Sequence, residues 1–380
     1  MQLSVIILNY NVRWFLQQCL DSVMRATTGL DAQIIVVDNA SPDDSCLMVR
    51  EHFPDVVLIK NPENSGFPKG NNLGVAAAKG RFICILNPDT VVAPDTFTKA
   101  ISYFESLENP GIVGVKLMDG RGHFLPESKR GIPTPWVAAT KISGLYKLSP
   151  KWFGRYYASH LTPNQSGQAD ILVGAFMLME KSLYDSLGGF DENCFMYSDD
   201  IDLSYRALQM GRTNFYFAGT QVIHYKGEST VKDARYLNRF REAMVYFYDK
   251  HYGHSASGRI FNVLMKAGAH FFALTKKNTL GVTVRPSGWY LLSQNEALKA
   301  ALEEKLSVSL ISVTNVDGIK EGSRLLLDSN ELGYGQIMAI MLSATAKDLT
   351  FRIVHPRDGF LIGSDSSNDR GEVVTFAAHR

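Results

Sequence analysis

Through the first 120 residues, short apolar runs alternate with segments of helical spacing, and this pattern limits the possible folds more than any other. "LSVIILNY" opens the chain. Residues 14–26 follow, with Phe15, Leu16, Cys19, Leu20 and Val23 at helical intervals. "AQIIVVDNAS" comes next, then a helix opened by Asp43, then "VVLIKN" and a small-residue helix over 69–79. "RFICILNPD", a helix over 95–107 and "GIVGVKLM" complete the series. Unbroken apolar runs of this length read as strands buried on both faces, which helices must cover. The expectation is an α/β fold: a doubly wound, mostly parallel sheet with helices on both faces.

Such sheets bind ligands beyond the carboxyl ends of their strands. Those ends are polar here. Asn9, Tyr10 and Asn11 close the first strand, and Asp38, Asn39 and Ser41 the second. "NPENSGFPKGNNLG", with Asn64, Gly66 and Asn71, follows the third, and Asn87 and Asp89 end the fourth. Turn chemistry explains any one of these groups, but it does not explain their convergence on one edge. Asp89 fits either a turn or a divalent cation, because magnesium and manganese take one or two carboxylates and fill the rest from substrate phosphates. G-x-G-x-x-G is missing after the first strand and G-x-x-x-x-G-K-[ST] is missing throughout, which disfavours dinucleotide and P-loop chemistry.

Further on, residues 121–168 are rich in Gly, Pro and aromatics and read as a long excursion or mobile loop. "ADILVGAFMLMEKSLYDSLGGF" reads as a strand and a short helix. In "FMYSDDIDLSYRALQMG", Ser198 suits an N-cap and the acids suit the helix dipole, with Asp202 paired to Arg206. Two adjacent acids, Asp199 and Asp200, exceed what a cap needs, and a carboxylate facing a cleft can act as a general base. His224 ends the strand "TNFYFAGTQVIHY" and is either structural or a metal ligand. The net charge of +1 gives no field that selects nucleic acid, and the four scattered cysteines suit a reducing compartment.

Six segments in order, "SVIILNYN", "IIVVDNASPDDS", "NPENSGFPKGNNLG", "ILNPDTVV", "LVGAFMLMEKSLYDSLGGFDENCFMYSDDIDLSYR" and "HYKGEST", resemble the family 2 glycosyltransferases, above all the bacterial rhamnosyltransferase-like branch. The resemblance covers about residues 1–250. It implies a GT-A fold and an inverting transfer from a nucleotide-sugar donor, dTDP-rhamnose or a UDP-sugar, to a glycan or lipid-linked acceptor of the cell envelope. It implies that Asp89 is the last acid of the D-x-D element that holds Mn or Mg, with Asn87 in place of the first, and that His224 completes the metal site. By the same resemblance Asp38 and the Asn9–Tyr10–Asn11 turn, with Asn39, contact base and ribose. Asn64, Gly66 and Asn71 fall in the loop that wraps the nucleotide, and Asp200 is the base with Asp199 beside it.

Q-x-x-R-W and apolar spans long enough for a membrane are both missing, so transfer of one sugar or a few is expected rather than processive synthesis. The rivals are a nucleotidyltransferase, which would carry a Gly-rich, Arg-containing loop where "NYNVRW" stands, and a sugar-nucleotide-binding protein without turnover. The expected layout is a catalytic domain over 1–255, an amphipathic helical linker over 256–300 and a small module over 301–380. The module's end resembles a Rossmann-like appendage. No signal peptide is read, which points to the cytoplasm. The basic amphipathic stretch 259–277 is expected to touch the inner face of the membrane or to dock on the protein's own core.

Overall fold

The computed structural model describes residues 1–134, 157–226, 234–253, 286–366 and 370–378. The stretch 259–277 lies outside the described residues, as does the middle of the excursion, at 135–156. No helix among the described residues is long and apolar enough to cross a membrane.

The amino-terminal half builds as its periodicity dictates. β1 (Leu3–Asn9), α1 (Arg13–Ala26), β2 (Ala32–Asn39), α2 (Ser45–His52), β3 (Val57–Asn61), α3 (Gly66–Ala76) and β4 (Phe82–Leu86) alternate. β5 (Thr90–Val92), α4 (Thr96–Glu105), β6 (Pro110–Met118), β7 (Gly167–Gln168), β8 (Phe176–Glu180), α5 (Lys181–Ser186), α6 (Asp199–Gln209), β9 (Thr213–His224) and α7 (Ala234–Tyr252) follow. Among the described residues the sheet has nine strands, in the order β3-β2-β1-β4-β8-β6-β9-β5, with β7 added on β9. β3, β2, β1 and β4 run parallel, and β8 lies antiparallel between β4 and β6. β1, β2 and β4 are buried almost throughout, as unbroken apolar runs require.

The small residues of α3 are there for contact. A Cβ on Gly70 would come within 2.4 Å of Leu8, and one on Gly74 within 2.5 Å of Ile6. Without side chains at these two places the helix lies directly on β1. The excursion after β6 is tied down at both ends. Met118 bridges Phe124, Arg130 bridges Ile171, and Gly167–Gln168 pairs with β9.

A second sheet fills the carboxyl-terminal part. It contains β10 (Trp289–Leu292), β11 (Ile311–Ser312), β12 (Arg324–Asp328), β13 (Thr350–His355), β14 (Phe360–Gly363) and β15 (Glu372–Thr375), in the order β11-β10-β12-β13-β14-β15. α8 (Glu296–Leu306) and α9 (Tyr334–Ser343) connect its parallel strands. The expected boundary at 301 is therefore corrected, since that residue lies within α8 and the sheet already begins at Trp289. A four-residue strand is too short to stand out from a linker in the sequence. The apolar run "QIMAIML" belongs to α9, whose Ile337, Met338 and Met341 are fully buried between the two sheets. A helix apolar over most of its surface is one covered on more than one side.

Candidate active site

Parallel register brings the polar strand ends side by side. Asn9 stands opposite Asp38 across β1 and β2, and Asn39 opposite Asn61 across β2 and β3. Asp38 is buried and organises the first group. Its Oδ1 accepts from Asn9 Nδ2 at 2.9 Å and its Oδ2 from the Ser41 amide at 3.0 Å. Ser41 Oγ accepts in turn from the Asn11 amide at 2.9 Å. Asn11 and Ala40 adopt φ of 56° and 62°, so both turns are left-handed and fold back over the edge. Tyr10 is half-buried between Asn9 and Asn11. Asn9 Oδ1 is buried without a partner.

Asn39 ties the second group together. It donates to Asn64 Oδ1 at 3.0 Å and accepts from Asn61 at 2.7 Å and from the Ser65 amide at 3.2 Å. Gly66 opens α3 and Asn71 lies within it, so the expected wrapping loop contracts to residues 62–65. Asn71 is fully buried and bonds back to Phe67 O at 2.9 Å. Asn71 Oδ1 has no partner. Gly66 has φ 81°, and a Cβ there would stand 2.7 Å from Phe195 O, which also accepts from the Phe67 amide at 3.0 Å. The turn before α3 is thus bolted to the segment that leads into α6.

Asp89 and His224 meet through the pairing of β5 with β9, which sets Thr90 opposite His224. Both side chains are buried, and Asp89 Oδ1 lies 3.4 Å from His224 Nε2. Asn87 Nδ2 lies 3.4 Å from the same nitrogen. His224 Nδ1 is buried without a partner. A carboxylate oxygen and an imidazole nitrogen facing each other at this separation fit two ligands of one divalent cation. No cluster of three or more His, Cys, Asp or Glu side chains that could hold a metal occurs among the described residues.

Asp199 and Asp200 begin α6 after Tyr197, whose φ is 80°. Ser198 occupies the N-cap position, but its hydroxyl makes no cap bond and lies 3.1 Å from Cys194 Sγ. Asp200 Oδ2 accepts from Arg130 Nη2 at 2.5 Å and from the Gly174 amide at 3.1 Å. Asp199 is buried beside it. Burial first, and the Asp200 charge second, push the Asp199 carboxyl up to about 7. Asp202 points away, to Arg206 at 2.7 Å, His251 at 2.7 Å and Lys250 at 2.8 Å. Residues 174 and 175 touch both halves of the site, because Ala175 O accepts from the Asn87 amide at 3.1 Å.

Sequence reasoning missed Arg130. It sits in the aperiodic excursion after "ESK", where nothing local distinguishes it from a surface cation. Ser41 and Asn61 were visible at strand ends, but their role in holding Asp38 and Asn39 depends on register.

Residues 4–188 match the family described as Glycosyl transferase family 2. The match spans just under half of the chain. It is 24% identical over 264 residues to the N-acetylglucosaminyl-diphospho-decaprenol L-rhamnosyltransferase of Mycobacterium tuberculosis, covering 66% of this chain and 85% of the relative. It is 28% identical over 208 residues to the rhamnosyltransferase WbbL of Escherichia coli, covering 51% of this chain and 72% of that one. Among solved structures, a mannosyltransferase from Pyrobaculum calidifontis in complex with GDP-Man and Mn2+ is similar over 71% of this chain and 69% of its own, at 19% identity and TM-score 0.47.

Proposed function

We propose that this protein is an inverting glycosyltransferase that moves one sugar from a nucleotide-sugar donor, dTDP-rhamnose or a UDP-sugar, to a hydroxyl of a glycan or lipid-linked acceptor in cell-envelope polysaccharide synthesis. One observation carries the reading. The Asp89–His224 pair and the Asp199–Asp200 pair are joined through residues 174 and 175 at one strand edge.

The turns at Asn9–Asn11 and Asp38–Ser41, with Asn39 and Asn64, would receive the nucleoside. Asp89 and His224 would hold Mn or Mg against the diphosphate. The bound cation supplies positive charge that offsets the negative charge growing on the leaving group. Asp200 then takes the proton of the acceptor hydroxyl. Its oxygen forms a bond to the anomeric carbon while the bond from that carbon to the diphosphate breaks, and the centre inverts. One base suffices, and no second carboxylate is needed as nucleophile. Arg130 and the Gly174 amide hold Asp200 Oδ2, so Oδ1 is the oxygen left to face the acceptor.

The Mycobacterium tuberculosis relative's name gives a diphospho-decaprenol-linked acceptor, and the basic amphipathic stretch 259–277 is the sequence feature suited to meeting anionic lipid. A panel of UDP-, dTDP- and GDP-sugars, with manganese, magnesium or chelator, tests the reading. One donor class should raise Tm in the presence of metal, and with a polyprenyl-diphosphate-sugar acceptor it should give product of inverted anomeric configuration. If no donor binds, or if bound donor is neither transferred nor hydrolysed, the enzyme reading fails.

A further inference from the structure

The strands that carry Asp89 and His224 have two covered faces. In β9, Val222 packs into the catalytic core, whereas Ile223, and Tyr225 just past the strand's end, pack into a separate cluster with the carboxyl-terminal unit. In β5, Val92 faces the catalytic core and Val91 faces that same cluster. Strand alternation therefore places His224 on the inner side, while its two neighbours face outward. On the outer side stand Ile337, Met338 and Met341 of α9, all fully buried. Tyr225 also meets Phe15 edge-on, with ring centroids 5.2 Å apart.

Polar contacts fix the same junction. Tyr334 OH donates to Asp21 Oδ2 at 2.6 Å, and Gln18 Nε2 lies 3.0 Å from His355 Nε2. Arg121 pairs with Asp348. A Cβ on Gly122 would stand 2.7 Å from Met341 O, so the backbones meet closely there. β5 has three residues and lies at the end of the nine-stranded sheet. A strand that short gains little from its ladder alone. Its position depends on what packs against each face.

We propose that the carboxyl-terminal unit is a structural part of the donor site: α9 holds the β5–β9 pair in place and thereby sets the spacing of Asp89 and His224. The effect on metal affinity rests on the metal-binding role proposed above, whereas the effect on the strands does not. Ile337, Met338 and Tyr334 are then positioning residues that act through Val91, Ile223 and Tyr225 and touch neither donor nor metal.

The test uses the full chain with Met338→Ala and two readouts. Amide hydrogen exchange over residues 90–92 and 222–225 should accelerate, while exchange in β1 and β2 stays as in the wild type. Manganese affinity, titrated in the presence of UDP, should fall about tenfold, the range seen when outer-shell support of a metal ligand is removed. Binding of UDP in chelator should be unchanged. A folded Met338→Ala protein with wild-type exchange in those strands and wild-type manganese affinity overturns the inference. If Met338→Ala does not fold, Tyr334→Phe removes a single hydrogen bond and should move both readouts in the same direction by a smaller amount. Unchanged readouts in that variant overturn the inference equally. A wild type that binds no manganese refutes the metal role, and the exchange measurement still decides whether α9 holds the strands.

Discussion

The two sheets carry similar polar groups at the carboxyl ends of their parallel strands and use them differently. In the second sheet Ser293 Oγ lies 2.8 Å from Asp328 Oδ2 and 2.9 Å from Glu331 Oε1. Glu331 also accepts from the Gln294 amide, and Asp328 from the Asn330 amide. The acids there bind their own loop. In the first sheet Asn9 Oδ1 and His224 Nδ1 are buried with no partner, and Asp199 is buried beside another acid. The location of a strand end is common to both. What separates a site from a closed loop is unspent hydrogen-bonding capacity and charge held out of water.

Exchanging an acid for its amide in each sheet would break or sharpen this contrast most strongly. Asp200→Asn should reduce transfer by about 10²–10⁴ while donor affinity stays within about twofold. Asp328→Asn should leave transfer per folded molecule unchanged and lower stability by about 1–3 kcal/mol, because a buried acceptor of amide hydrogens is replaced. Transfer rates and urea titrations of the two variants measure both. Loss of transfer in Asp328→Asn with an intact fold would mean that the second edge also does chemistry.

Asp89→Ala should weaken donor binding in manganese at least about tenfold and leave binding in chelator nearly unchanged. Calorimetric titration of donor under both conditions separates a metal ligand from a turn residue. Equal losses in the two conditions would return Asp89 to the role of a turn.

A change at Arg130 should have a smaller effect of a different kind. Arg130 supplies a positive charge beside the Asp199–Asp200 pair. Arg130→Gln removes that charge, so Asp199 should protonate at higher pH. The acid limb of the rate profile should move up by about one pH unit, and Arg130→Lys should restore most of the shift. A fall in rate with an unmoved profile would mean that Arg130 only supports the loop.

Much of this could be read from the chain. The run "RFICIL" ends in "NPD" because a doubly buried strand must leave the core at a turn. The pairing that makes Asp89 a neighbour of His224 could not be read, because β5 is three residues long and its partner lies more than 130 positions away. Arg130 was hidden for a similar reason, since only the bridge to Ile171 carries it to Asp200. The sequence puts Asn71 in a binding loop, yet the glycines that let α3 lie on β1 carry the residue into the helix, where it bonds to the backbone.

The smallest effect concerns stability and separates the two acids of the pair. Asp199 holds a proton up to about pH 7 in the folded chain, whereas an unfolded chain releases it near pH 4. Between these values the folded state binds more protons than the unfolded one. Stability contributed through Asp199 is therefore present below about pH 4 and falls as pH rises towards 7. Asp199→Asn removes that slope, because an amide does not titrate. At pH 8 the variant should be more stable than the wild type, with the difference vanishing towards pH 4. Thermal melts across this range check it. The same buried acid that serves the site would then cost the fold stability at neutral pH. A variant less stable at every pH would show that the Asp199 carboxylate is held by favourable bonds after all.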